Sequence, residues 1–264
     1  MKGEHSRGTS SFGTDPLSFQ AIKVAEAIGA KKILDVGCGA GFFRYALEEY
    51  SNIKVERYHG VDISTRQIAR AKQRFNDEFR VASADKLDST FISEFDFVHI
   101  YSVLNFMHPG NQMKFLSALL NSRDTNTMLR FAATEKNIAF CPQVSYKNLG
   151  RATRREKTLL SQIGFCLLSD IKKLVAGTGR YELDVTAIDF AIAPACNLSS
   201  HDGAIAIDAD ILAKNRAAEK EAFGIGTLLK AHQCTIRPKG IDVSDVSIPA
   251  ELVALREEGA AKTA

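Results

Sequence analysis

The stretch Ile33–Phe42, reading ILDVGCGAGF, constrains this chain more than any other. An apolar run carries the acid Asp35, three glycines follow at alternate positions (Gly37, Gly39, Gly41), and a helix-like pattern begins at Phe43. Physically this is a buried strand, a tight turn and a helix start. Glycine accepts backbone conformations that other residues resist, and it leaves the main chain bare for a ligand. The helix N-terminus after such a turn favours an anion, so a dinucleotide pyrophosphate is the first candidate occupant.

Two details turn the reading elsewhere. The dinucleotide pattern needs Gly-x-Gly-x-x-Gly or Ala, whereas Phe42 stands in the third place and Gly41 comes one residue early. Asp35 would repel a pyrophosphate but attract a ligand carrying an ammonium and a sulfonium. S-adenosylmethionine has both charges and no phosphate. The stretch resembles the first motif of the class I S-adenosylmethionine-dependent methyltransferases, an acid followed by Gly-x-Gly-x-Gly. That resemblance implies S-adenosylmethionine as cofactor, with Asp35, Gly37, Cys38, Gly39 and Gly41 around it.

Later strand ends extend the resemblance. A strand at Tyr58–Val61 ends at Asp62, about 20 residues beyond Gly41, the distance at which nucleotide-binding α/β folds place the acid for ribose hydroxyls. A carboxylate accepts both hydrogens of a vicinal diol. Gly60-Val61-Asp62-Ile63-Ser64 resembles the second methyltransferase motif, which implies Ile63 against the adenine, and Ser64 is free to cap a helix over Thr65–Phe75. Phe79–Asp85 reads as a third strand closed by an acid; the resemblance assigns Asp85 and the backbone of Ala84 to the adenine amino group. Phe95–Tyr101 is the fourth strand, followed by the loop Ser102–Pro109. Ligands of open α/β sheets bind beyond the carboxyl ends of the strands, so Tyr101 is expected at the cofactor and Ser102, Asn105 and His108 near the methyl group. His99, in mid-strand, reads as a packed or surface histidine.

Residues 1–16 form a mobile N-terminal segment, rich in Ser, Gly and Thr, and a candidate lid. Asp15-Pro16 starts an amphipathic helix closed by Gly29. A helix at Gln112–Asn121 and a fifth strand at Thr127–Ala132 follow. Residues 134–151 lack periodicity, and a loop of that length commonly serves a site, so Phe140, Tyr146 and Asn148 are substrate-facing candidates. After a helix at Glu156–Ile163, two extended runs, Cys166–Leu174 and Tyr181–Ala193, flank a short glycine-containing loop and read as a hairpin. The expected fold is α/β: a seven-stranded, mostly parallel sheet with helices on both faces and a C-terminal antiparallel hairpin. Residues 17–193 make the methyltransferase domain. Residues 194–264 are a C-terminal helical or irregular extension, with helices at Asp208–Phe223, Thr227–His232 and Pro249–Glu258, a turn at Pro238-Lys239-Gly240, and a candidate homodimer contact.

Composition bounds the rest. Five scattered cysteines with no Cys-x-x-Cys offer neither a disulfide framework nor a zinc site, so no metal is expected and a reducing cytoplasm fits. No run has the length of a membrane span. A net charge of +3 supplies no strong electrostatic reason for nucleic acid as a partner. Methyl transfer from a sulfonium needs an aligned nucleophile and, for some acceptors, a base. His108 is the candidate base, with a capping role in its His-Pro turn as the alternative. The loop after the fourth strand has no Asn-Pro-Pro-Tyr, Cys141-Pro142 reverses a Pro-Cys nucleophile, and the paired-glutamate loop of protein arginine methyltransferases is missing. Tyr101-Ser102 stands where metal-assisted catechol methyltransferases and aminopropyltransferases place an acid. A metal-independent O- or N-methyltransferase of a small molecule is therefore expected. The alternatives are an RNA methyltransferase, through a basic edge at Arg151, Arg154, Arg155, Lys157, Lys172 and Lys173, and a non-catalytic cofactor-binding scaffold.

Overall fold

The computed structural model describes residues 16–101, 103–107, 109–135, 166–191, 228–246 and 249. In chain order these give α1 (Pro16–Ala27), β1 (Lys32–Val36), α2 (Phe42–Tyr50), β2 (Arg57–Asp62), α3 (Thr65–Arg74), β3 (Glu78–Val81), α4 (Ser89–Ile92), β4 (Phe97–Tyr101), α5 (Pro109–Asn121), β5 (Asn126–Thr134), β6 (Cys166–Leu167), α6 (Leu168–Thr178), β7 (Tyr181–Ala191) and β8 (Leu228–Pro238). Seven strands lie in the order β3-β2-β1-β4-β5-β8-β7, and the two-residue β6 pairs with β5 off this path. Strands β1 to β5 run parallel, while β8 is antiparallel to both neighbours. The expected mostly parallel sheet closed by an antiparallel hairpin is present. The order reverses between β1 and β4, and a reversal of this kind opens a crevice at the carboxyl ends of the strands.

Local sequence explains the layers. Strands β1 and β4 are buried almost throughout, as parallel strands covered on both faces must be. One face packs on α5 and α6 through Leu116, Leu119, Ile171 and Val175. The other packs on α1 and α2 through Ile22, Ala25, Phe43 and Leu47. Asp96, just before β4, accepts the backbone N–H groups of Lys31 and Lys32, each at 2.9 Å, and so fixes where β1 begins. No helix among the described residues is long and apolar enough to cross a membrane.

The hairpin is not built from the expected pair. Of the run Cys166–Leu174 only Cys166 and Leu167 are extended; Leu168–Thr178 is helix α6, ended by Gly179 in the left-handed conformation. Leu168, Ile171 and Val175 are its buried residues, a spacing of three and four that its β-branched content conceals. Strand β7 instead pairs with β8, from Tyr181 opposite Pro238 to Ala191 opposite Leu228. A short helix expected at Thr227–His232 is thus strand from Leu228 onward, and the sheet draws on residues beyond 193. Cys234 and Ile236 alternate into the core there, which is the two-residue period of a strand. The helices expected at Glu156–Ile163 and Asp208–Phe223, the segment before Pro16, and all of Pro249–Glu258 but its first residue lie outside the described residues.

Candidate functional site

The glycine turn joins β1 to α2. Gly37, Gly39 and Gly41 have φ of 79°, 53° and 85°, where a side chain is strained. The N–H groups of Gly37 and Cys38 donate to Val61 O at 2.7 and 3.1 Å, which ties the turn to β2. Two of the glycines are also sterically required. A Cβ on Gly37 would stand 2.1 Å from Val103 Cγ2, and one on Gly41 would stand 2.7 Å from Phe75 Cε2.

Asp62 closes β2 beside this turn. Its Oδ2 accepts Gly39 N–H at 3.0 Å and its Oδ1 accepts Ser64 N–H at 2.7 Å. The two backbone bonds fix the carboxylate between the turn and α3. Ser64 caps α3 by accepting Gln67 N–H, so Asp62 is not the cap. Ile63 lies between them, partly exposed. Asp85 follows β3 in a single 3-10 turn with the buried Ala84. It accepts Ser83 Oγ–H at 2.6 Å and Asn111 Nδ2–H at 2.9 Å, which tethers this loop to α5.

Asp35 lies beneath the turn, only 2% exposed. Its Oδ2 accepts the Tyr58 hydroxyl at 2.5 Å, and its Oδ1 lies 2.8 Å from His99 Nδ1. Burial, reinforced by the Asp35 charge, holds the Tyr58 phenol well above its ordinary pKa, so it stays a donor. Burial and then the Asp35 and Asp62 charges push the Cys38 thiol up as well, which makes Cys38 a packing residue and a poor nucleophile.

At the carboxyl ends of the next strands, Tyr101 of β4 faces Arg130 of β5, its register partner, with the guanidinium carbon 5.8 Å from the ring centroid. Arg130 also donates to Gln233 of β8. Asn105, expected to face the acceptor, directs its amide to β5: its Nδ2–H donates to Ala132 O, and its Oδ1 accepts Ala132 N–H, both at 2.8 Å. Ser102, His108, Phe140, Tyr146 and Asn148 lie outside the described residues.

The structure thus brings together the turn glycines, Cys38, Asp35 and Asp62. It adds partners not foreseen from sequence: Tyr58 and His99 for Asp35, Ser83 and Asn111 for Asp85, Val103 over Gly37 and Arg130 over Tyr101. Strand register is the signal for His99, because it lies directly opposite Asp35. Ser83 is only two residues from Asp85; the others come from distant segments and have no local signature.

A bare backbone cradle, an oriented carboxylate suited to a diol and a buried anion below fit a nucleoside that carries cationic groups. Two carboxylates around the turn oppose a diphosphate. Residues 29–177 match the family described as "Methyltransferase domain". Curated protein sequences give no match. Similar solved structures include the [4+2]-cyclase SpnF, 16% identical, with 86% of this chain and 81% of that chain covered and a TM-score of 0.51. The methyltransferase domain of bacterial CtHen1-CN is 16% identical, with coverages of 84% and 97% and a TM-score of 0.45. Magnesium protoporphyrin IX methyltransferase from Synechocystis PCC 6803 is 14% identical, with coverages of 84% and 77% and a TM-score of 0.43. With the glycine cradle, the Asp62 carboxylate, the strand order and the family match in agreement, this chain belongs to the class I S-adenosylmethionine-dependent methyltransferases.

Proposed function

We propose that this methyltransferase acts without a metal on an oxygen or nitrogen of a small molecule. The observation that carries the reading is the end of β4: Tyr101, not an acid, stands there, and its ring is covered by the Arg130 guanidinium. An aromatic and cationic floor offers an organic acceptor a stacking surface, and position 101 itself supplies no carboxylate for a divalent cation.

When bound, S-adenosylmethionine supplies a methyl group made electrophilic by its sulfonium. The chain's own residues have a positioning task. In this reading Asp62 accepts ribose hydroxyls while Gly39 and Ser64 hold its carboxylate still. Ile63, Ala84 and Asp85 line the adenine, and the glycine turn receives the amino-acid end above Asp35. Tyr101 borders the reacting region, with Ser102, Asn105, His108 and Tyr146 as acceptor-side residues and His108 as the base where the acceptor must lose a proton. Asn105 contributes by pinning the loop to Ala132 rather than through an amide turned to the acceptor.

The test is release of S-adenosylhomocysteine with a panel of phenols, amines and sugars, with and without EDTA, and with bulk tRNA in parallel. EDTA-insensitive turnover of a small acceptor is expected. Turnover confined to tRNA would replace this reading with an RNA methyltransferase, and loss of turnover in EDTA would overturn its metal-independent part.

A further inference from the structure

We infer that Tyr58 and His99 are positioning residues for Asp35, and that together they set how strongly the pocket prefers a cofactor with a cationic amino-acid end. Three adjacent strands converge here. Asp35 is on β1, His99 stands directly opposite on β4, and Tyr58 reaches across from β2. The β2 residue opposite Asp35 is Gly60, where a Cβ would stand 2.5 Å from Phe79 Cδ1 and 2.9 Å from Cys38 Sγ. This position therefore has no side chain of its own, and Tyr58, two residues earlier on the same face, fills the donor role.

His99 is held on two sides. Nδ1 faces Asp35, and the ring stacks on Phe43 of α2 with centroids 3.9 Å apart and planes at 23°. Its Nε2 is buried and has no hydrogen-bond partner among the described residues. A buried nitrogen left unsatisfied is a cost that needs a reason. The arrangement gives one: the same ring pose that strands Nε2 sets Nδ1 2.8 Å from Asp35, where the tautomer with its proton on Nδ1 donates to the carboxylate. The nearby Tyr58 phenol is kept protonated by burial. The carboxylate thus meets two donors from opposite sides, directly below the turn that receives the cofactor's amino-acid end in the proposed function on which this inference rests.

Because Asp35 acts through charge, its positioning residues should affect ligands according to their charge. S-adenosylmethionine carries an ammonium and a sulfonium, S-adenosylhomocysteine only the ammonium, and methylthioadenosine neither. Calorimetric binding of all three is measured without acceptor, so the outcome is independent of which molecule is methylated. Tyr58→Phe and His99→Phe keep the rings and remove the donors. The losses of affinity should be about tenfold or more for S-adenosylmethionine, smaller for S-adenosylhomocysteine, and within about twofold for methylthioadenosine, the scale of one hydrogen bond to a charged group. His99→Asn returns an N–H near the Nδ1 position and should restore most of the affinity. Equal losses for all three ligands would reveal a merely structural role and overturn the inference, as would unchanged affinities or failure of the asparagine to restore binding. Circular dichroism and thermal melting of each variant identify any that fail to fold. The paired phenylalanine and asparagine variants at position 99 decide the matter if Tyr58→Phe is among those that do not.

Discussion

Gly37→Ala separates two reasons for glycine that coincide at one residue. At φ 79° a side chain costs roughly 1–2 kcal/mol. The added methyl would also stand 2.1 Å from Val103 Cγ2, an overpacking that typically costs about 1–3 kcal/mol more. The total is roughly 2–5 kcal/mol, which at a urea m-value near 2 kcal/mol/M lowers the midpoint by about 1–2.5 M. Val103→Ala alone removes two methyl groups from a partly buried side chain and should cost about 1 kcal/mol. The double variant distinguishes the two terms. Val103 Cβ would stand 3.6 Å from the new methyl, an ordinary contact, so removing Cγ2 relieves the clash and leaves the conformational cost. Urea denaturation of all four proteins should therefore give a favourable coupling of about 1–3 kcal/mol between the substitutions. Additive losses would show that the clash does not arise from Val103. A Gly37→Ala protein within about 0.5 kcal/mol of the parent would refute both parts of the reasoning.

Other expectations follow from the same geometry. Asp62→Ala and Asp62→Asn should each weaken S-adenosylmethionine binding by 10-fold or more, since each hydrogen bond to a charged group is worth about 1.5–3 kcal/mol; titration calorimetry giving a Kd within threefold would refute the assignment. Burial lowers the His59 pKa despite its bond to Glu78, so the folded protein prefers the neutral ring. The unfolded chain then binds more protons between the lowered value and about 6.5, and stability falls as pH drops through that window. The Tm of the parent should fall more from pH 7 to pH 5.5 than that of His59→Phe, and equal falls would contradict the sign. Burial pushes the Cys166 and Cys234 thiols up to about 12 and raises Cys38 as well. Iodoacetamide at pH 8 should leave all three unmodified in the folded protein and label them in urea, read by peptide mass spectrometry.

The parts of the fold legible in sequence are those where local chemistry and tertiary role agree. Asp35, Asp62 and the turn glycines stand at or just beyond strand ends, as the pattern of apolar runs and glycines predicts, and Ser64 caps α3 as its residue type suggests. The failures arise where distant segments decide. Leu168–Thr178 carries enough branched residues to pass for a strand, and its helical period shows only once Leu168, Ile171 and Val175 are seen to pack together. The β7–β8 pair joins residues separated by the segment 192–227, so no turn signal could announce it. The site behaves the same way. Asn105 is loop-borne and polar, as an acceptor-facing residue should be, yet Ala132 on β5 captures its amide. Tyr58 and His99 became meaningful only after the sheet set them on either side of Asp35.

The placement of β8 bears on how the chain is made. Among the described strands it is the last to leave the ribosome, and it sits between two that emerged earlier, antiparallel to both. Until residues 228–238 are synthesised, β7 lacks the one strand it pairs with among the described residues and β5 has only the two-residue β6 on its edge away from β4, the kind of surface that recruits other nascent chains. The glycine cradle and Asp62 are translated long before, but the sheet beneath them gains β8 only once residues 228–238 have been made. A chain halted before Leu228 should therefore aggregate rather than persist as a smaller working enzyme.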